Sequence, residues 1–108
     1  MTDSMPQPTK SHVVYYLALS PTVIKIGTTG DLPARIKGLR TSIQYVVALE
    51  QGGHELETQR HRQFHAERLS RREDFRVSER LQAHIDHIRR TTRSDELIEM
   101  YRSRSRGV

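Results

Sequence analysis

The chain has 108 residues, is 34% hydrophobic, lacks tryptophan and carries a formal charge of +5; this length suits one small domain and excludes two ordinary ones. It has no cysteine, which excludes disulfides, thiolate nucleophiles and Cys-based zinc or iron–sulfur sites and fits a reducing, cytoplasmic setting. The opening MTDSMPQPTK has no apolar segment of signal-peptide type, and no stretch is long and apolar enough to suggest a membrane partner.

Residues 1–11 read as a loose arm. HVVYYLALS, 12–20, is rich in β-branched and aromatic residues and reads as a strand, and after a Ser20-Pro21-Thr22 turn VIKIG, 23–27, returns as the second strand of a hairpin. Alternation sets Val23, Lys25 and Gly27 on one face and Ile24 and Ile26 on the other. Asp31 is a good N-cap and Pro33 suits a first turn, so a helix is expected from Leu32 to Arg40, burying Leu32, Ile36 and Leu39 with Arg35 at the border of that stripe. A third strand is expected around Gln44–Glu50, ended by Gly52-Gly53. A helix over 54–69 follows, with the thin apolar set Leu56, Phe64 and Leu69. Phe75-Arg76-Val77 reads as a short strand or edge segment. Ser78 is placed to cap a helix reaching Arg90 over Leu81, Ile85 and Ile88, and Ser94 to cap a last helix through Tyr101. The ending RSRSRGV reads as a basic tail, 102–108, able to touch a nucleic-acid backbone without reading sequence. The layout is an arm, a single α+β domain over 12–101, and the tail.

Three polar positions stand beside apolar ones on different elements: Lys25, Arg35 and Glu57. Phosphodiester cleavage needs cations or a metal for developing charge, and a base for water. Glu57 is a carboxylate of the kind that holds Mg²⁺ alongside phosphate and waters. Arg35 is suited to clamp a phosphate, Tyr15 or Tyr16 to supply a hydroxyl, and Lys25 to supply a cation that lowers a nearby tyrosine's pKa. Packing explains the same residues differently: a tyrosine on a strand is often core, Arg35 is a surface residue by default, and Glu57 with His61 is an ordinary i, i+4 polar pair. His61 and His65 with Glu57 form a weaker zinc alternative. No GxGxxG, phosphate-binding loop or serine elbow is present.

VYYLALSPTVIKIGTTGDLPARIKGLR, then GHELETQRHRQF, then REDF, resembles the GIY-YIG nuclease superfamily, and most closely its compact phage and bacterial branch. The resemblance covers about residues 13–77 and implies a small three-stranded antiparallel sheet flanked by helices, cutting nucleic acid with one divalent metal, Mg²⁺ or Mn²⁺. It places Val13-Val14-Tyr15 at the GIY position, with Tyr15 beside the nucleophilic water, and Lys25-Ile26-Gly27 at the YIG position. Arg35 would steady the scissile phosphate and Glu57 hold the metal. His61 and Phe64 match the branch's E…H..F pattern, and Arg72-Glu73-Asp74-Phe75 stands where GEWF is expected. The departures are Lys25 for the second signature tyrosine, Val13 for the first glycine, Arg72 and Asp74 for the glycine and tryptophan of GEWF, and the absence of asparagine from the whole chain.

The expectation is therefore a metal-dependent endonuclease acting on DNA, with RNA as a second candidate and another protein or domain supplying target choice. Tyr15, Lys25, Arg35, Glu57 and His61 form its expected site. The alternatives are a non-catalytic nucleic-acid-binding module on the same fold, and a small adaptor that binds protein through its C-terminal helices.

Overall fold

The computed structural model describes residues 12–106, so the expected arm over 1–11 and the last two residues lie outside the described residues. The element order is β1 (Val13–Ser20), β2 (Val23–Thr29), α1 (Leu32–Gly38), β3 (Val46–Gln51), α2 (His54–Gln63), β4 (Asp74–Arg76), α3 (Glu79–Thr91) and α4 (Ser94–Arg106). Short 3₁₀ turns over Ile43–Tyr45 and His65–Glu67 precede β3 and follow α2. The architecture is a mixed α/β fold with a small antiparallel sheet flanked by helices. The sheet has four strands in the order β3-β1-β2-β4 rather than three, because Asp74, Phe75 and Arg76 pair with Lys25, Ile24 and Val23 and turn the short apolar piece into an edge strand.

β1 lies in the middle and is covered on both faces. Val14 and Tyr16 join Ile24, Ile26 and Ala48 under Phe64 of the α2 end and Leu81, Ile85 and Ile88 of α3. Val13, Tyr15 and Leu17 join Val46 and Leu49 under Leu32 and Ile36 of α1 and Ile98 of α4. A sheet buried on both faces needs near-continuous apolar strands, which is why VVYYL reads without alternation. Tyr15 and Tyr16 are both fully buried, where one-sided packing would have buried only one.

The second tyrosine ends in a polar network. The Tyr16 hydroxyl donates to Glu50 Oε1 at 2.7 Å and stands 2.9 Å from His84 Nε2, so the imidazole N–H is the donor there. Arg60 grips both Glu50 oxygens, at 2.9 and 2.6 Å. Burial alone would raise the Glu50 carboxyl, but the hydrogen bonds from Arg60 and Tyr16 hold it below its usual range. Burial, and then the Arg60 charge, push His84 from 6.5 down to about 4. The network ties α2, whose only fully buried residue is Glu57, to the sheet by polar contacts instead of an apolar face.

Three boundaries differ from the sequence pattern. α1 stops at Gly38, not Arg40. Arg40 takes φ 57°, with Arg40 N–H bonding the Lys37 carbonyl at 3.0 Å and Thr41 N–H the Ile36 carbonyl at 3.2 Å, a left-handed helix ending that usually employs glycine. α2 stops at Gln63, since Leu69 turns back to bond the Asp74 carbonyl at 2.9 Å and is itself exposed. Ser94 does not cap α4. It is buried, and its hydroxyl accepts the Leu49 N–H at 2.9 Å. α4 then runs on to Arg106, through most of the stretch that reads as a tail.

Gly38 is helical and a Cβ there would meet no atom within 4 Å, so Gly38→Ala should stabilise the fold by about 0.5–1 kcal/mol. Arg40→Gly should also stabilise, by roughly 1 kcal/mol, by relieving the left-handed residue; urea melts with unchanged midpoints would refute both. As pH falls from 6.5, the unfolded chain takes a proton at residue 84 that the folded chain refuses until about pH 4, so stability is lost across that window. His84→Gln should flatten that slope, and equal slopes for variant and wild type would contradict it.

Candidate functional site

Tyr15 faces Gly27 across the β1–β2 ladder. A Cβ on Gly27 would fall 2.5 Å from the Tyr15 hydroxyl and 2.8 Å from Glu73 Oε1. No larger residue fits without displacing both side chains, so Gly27 is a close-approach position. Above it, Arg35 of α1 donates Nε to the Tyr15 hydroxyl at 3.2 Å. The spacing Leu32, Arg35, Ile36 explains this placement: the two apolar residues seat the helix on the sheet, and the residue between them emerges over the tyrosine. Arg35 remains exposed as a residue, while its charge interacts with Glu73 and Glu57 of the cluster.

Lys25 extends along the same face, and its Nζ lies 3.3 Å from Glu73 Oε1. That carboxyl oxygen is buried and has no hydrogen-bond partner among the described residues. Glu57 comes from α2, with 6% of its surface exposed, and its Oε1 is 3.2 Å from His54 Nδ1. Burial, followed by the charge of Glu73 beside it and a hydrogen bond to that group, raises the Glu57 carboxyl above its ordinary value.

His61 has a different task. Its Nε2 lies 2.8 Å from the Ile26 carbonyl, an acceptor only, so it donates there, while the Ile26 N–H bonds the Glu73 carbonyl at 2.9 Å. β4 pairs with β2 only up to Lys25, and the imidazole closes the ladder position beyond it. The ring also packs on Phe75, with centroids 5.1 Å apart.

The five expected residues thus converge on one end of the β2 edge: Tyr15 with Arg35, Lys25 and Glu57 on either side of Glu73, and His61 at the strand's open carbonyl. Glu73 is the member not singled out from the sequence. Its signal was its place in the REDF run just before the edge strand. The Tyr16–Glu50–Arg60–His84 network gave no signal, since each residue sits inside an ordinary apolar or charged pattern.

The metal reading does not survive this geometry. Among the described residues no group of three or more His, Asp or Glu side chains could hold a metal ion, and the sequence has no cysteine to add. Mg²⁺ keeps several waters, whereas Glu57 is nearly closed to solvent and faces Glu73 and His54. The His61–His65–Glu57 zinc alternative fails with it, because His61 is spent on a carbonyl. The Mg²⁺ or Mn²⁺ cofactor, the metal-dependent endonuclease and the assignment as a hydrolase are corrected accordingly. No family model, curated protein or solved structure matches the chain, so no comparison supports GIY-YIG membership or a phage setting. Among the described residues no helix is long and apolar enough to cross a membrane.

Because the Glu57 carboxyl is raised in the fold, its contribution to stability is full below 4.5 and is lost as pH rises through the raised value. Glu57→Gln should therefore raise the melting temperature by a few degrees at pH 8 and by progressively less toward pH 4.5. A gain that is the same at both pH values would show that Glu57 is not strained by Glu73.

Proposed function

We propose that the chain is a nucleic-acid-binding module without catalysis of its own, built on a GIY-YIG-like arrangement, that grips phosphates through the cations around α1 and the loop before β4. One observation carries this reading: six acids are paired with basic side chains elsewhere in the fold, while these cations have no acidic partner among the described residues. Glu50, Glu67, Asp95, Glu96 and Glu99 each hold an arginine at 2.6 to 3.1 Å, and Glu73 holds Lys25 at 3.3 Å. Lys37, Arg40, Arg71 and Arg72 are exposed and have no acidic partner among the described residues. Arg35 joins them, exposed, braced at Nε by Tyr15, and of the side-chain type whose planar fork suits a phosphate.

Within this reading the buried cluster is a support. Lys25 and Glu73 offset one another, and Gly27 lets Tyr15 stand close enough to orient Arg35. The adaptor alternative is less favoured: Ile88 and Ile98, which it would expose, are buried, and Met100 alone of that stretch is a large exposed hydrophobic. DNA is the first partner to test and RNA the second.

The test is retardation of duplex DNA across a salt series. Binding should weaken steeply with salt, since each neutralised phosphate adds about −0.9 to the log–log slope. Arg35→Gln and Lys37→Gln should each weaken it a few-fold and make the slope shallower by about one. EDTA should change nothing, and Glu57→Gln should leave affinity intact or raise it. No retardation at low salt, or binding unaffected by Arg35→Gln combined with Arg71→Gln, would end this proposal.

A further inference from the structure

At the far end of α1 the chain forms an open groove of about 550 Å³ between the β1–β2 turn and the loop entering β3. Its walls are Leu19 and Pro21 on one side, Leu39 and Arg40 below, and Thr41 and Tyr45 on the other. Leu19 and Tyr45 are two of the four large hydrophobics that stand exposed, at 49% and 48%. Neither exposure is accidental. The β1–β2 register slips between Ala18 and Ser20, so Leu19 has no partner across the ladder and the irregularity turns its side chain outward. Tyr45 closes the 3₁₀ turn, its N–H bonded to the Ser42 carbonyl at 3.0 Å, one residue before the strand begins.

The chemistry of the walls selects among occupants. No acidic residue lines the groove. Its one cation is Arg40, exposed, without an acidic partner among the described residues, and held in a left-handed conformation by the end of α1. Non-glycine residues held in that region are uncommon and tend to mark functional places. Hydroxyls from Ser20, Thr41 and Tyr45 complete the set. An apolar wall, an exposed aromatic face, hydroxyls and a single fixed arginine fit a flat heterocycle attached to a phosphate. An uncharged peptide would leave the cation unanswered, an acidic one would make no use of the exposed aromatic face as a stacking surface, and a second copy of this basic chain would bring like charge to it.

We propose that this groove receives an unstacked base of a single-stranded nucleic acid, stacked on Tyr45 with its phosphate on Arg40. The inference rests on the nucleic-acid reading above and narrows it. The strand's backbone runs along Arg35 and Lys37, and the base at the end of α1 is taken up by the groove. The shared chemistry is that of any polynucleotide single strand, so deoxyribose and ribose strands are separate arms of the test.

The experiment is fluorescence anisotropy with the full chain at low salt, using oligodeoxyuridylate and oligouridylate of about ten nucleotides, which differ only in the sugar, and a blunt duplex of equal length. Single strands should bind more tightly than the duplex. Tyr45→Ala should weaken single-strand binding about tenfold and leave the duplex unchanged, while Tyr45→Phe should stay within about twofold of wild type. Arg40→Gly should weaken the single strand a few-fold while keeping the backbone conformation that the helix end requires. A preference for one sugar identifies the natural strand and upholds the groove. If Tyr45→Ala weakens the single strand no more than Tyr45→Phe does, while salt-sensitive duplex binding persists, the groove assignment is overturned and the nucleic-acid reading stands. If neither single strand nor duplex binds, both are overturned.

Discussion

Adjacent residues of a strand point to opposite sides, and here the two neighbours are tyrosines in a strand that is covered above and below. Each phenol must be given a hydrogen-bonding partner within the protein, because a buried hydroxyl left alone costs roughly 1–3 kcal/mol. The two solutions organise the two halves of the molecule. On one side Tyr16 takes Glu50 and His84, and Glu50 in turn takes Arg60, so α2 and α3 are joined to the sheet through that hydroxyl. On the other side the Tyr15 hydroxyl has Arg35 as its one hydrogen-bonding partner among the described residues, and its position depends on the missing side chain at Gly27.

The unequal treatment of the two tyrosines separates structure from recognition. The Tyr16 side is closed, with a bidentate arginine and a histidine kept neutral. The Tyr15 side ends in an exposed guanidinium and a buried carboxyl oxygen that has a lysine nearby but no hydrogen bond. The Glu57 carboxyl there is raised by burial and by Glu73 beside it, and its enclosure works against capture of a hydrated divalent ion. A basic surface around such a cluster fits a partner that supplies its own negative charge.

Much of the fold was legible because the apolar spacing was unambiguous. Leu32 and Ile36 set α1, Leu81, Ile85 and Ile88 set α3, and VVYYL marked a strand, although its burial on both faces, which takes in both tyrosines, came only from the structure. The convergence of Tyr15, Lys25, Arg35 and Glu57 was also legible, since each stood beside a buried position on its own element. What could not be read was which partner each polar group would find. Glu57 looks like a metal ligand until Glu73 arrives beside it from 16 residues further along the chain, and His61 looks like a catalytic group until the short reach of β4 leaves it a carbonyl. Ser94 looked like a cap because of the residues that follow it, whereas β3 claims its hydroxyl. The end of α1 misled for a local reason: the left-handed residue that stops it is an arginine, and the neighbouring glycine lies inside the helix.

Ser94 and His61 have a common effect at the margins of the sheet. One occupies an outward N–H of β3 and the other an outward carbonyl of β2 beyond the end of β4, while β4 itself is three residues long. Open strand edges are templates on which further chains can add. Where copies of the chain crowd together, such edges meet at high local concentration. With the hydroxyl and the imidazole already seated on them, crowded copies meet side chains where they would otherwise find a ladder to extend.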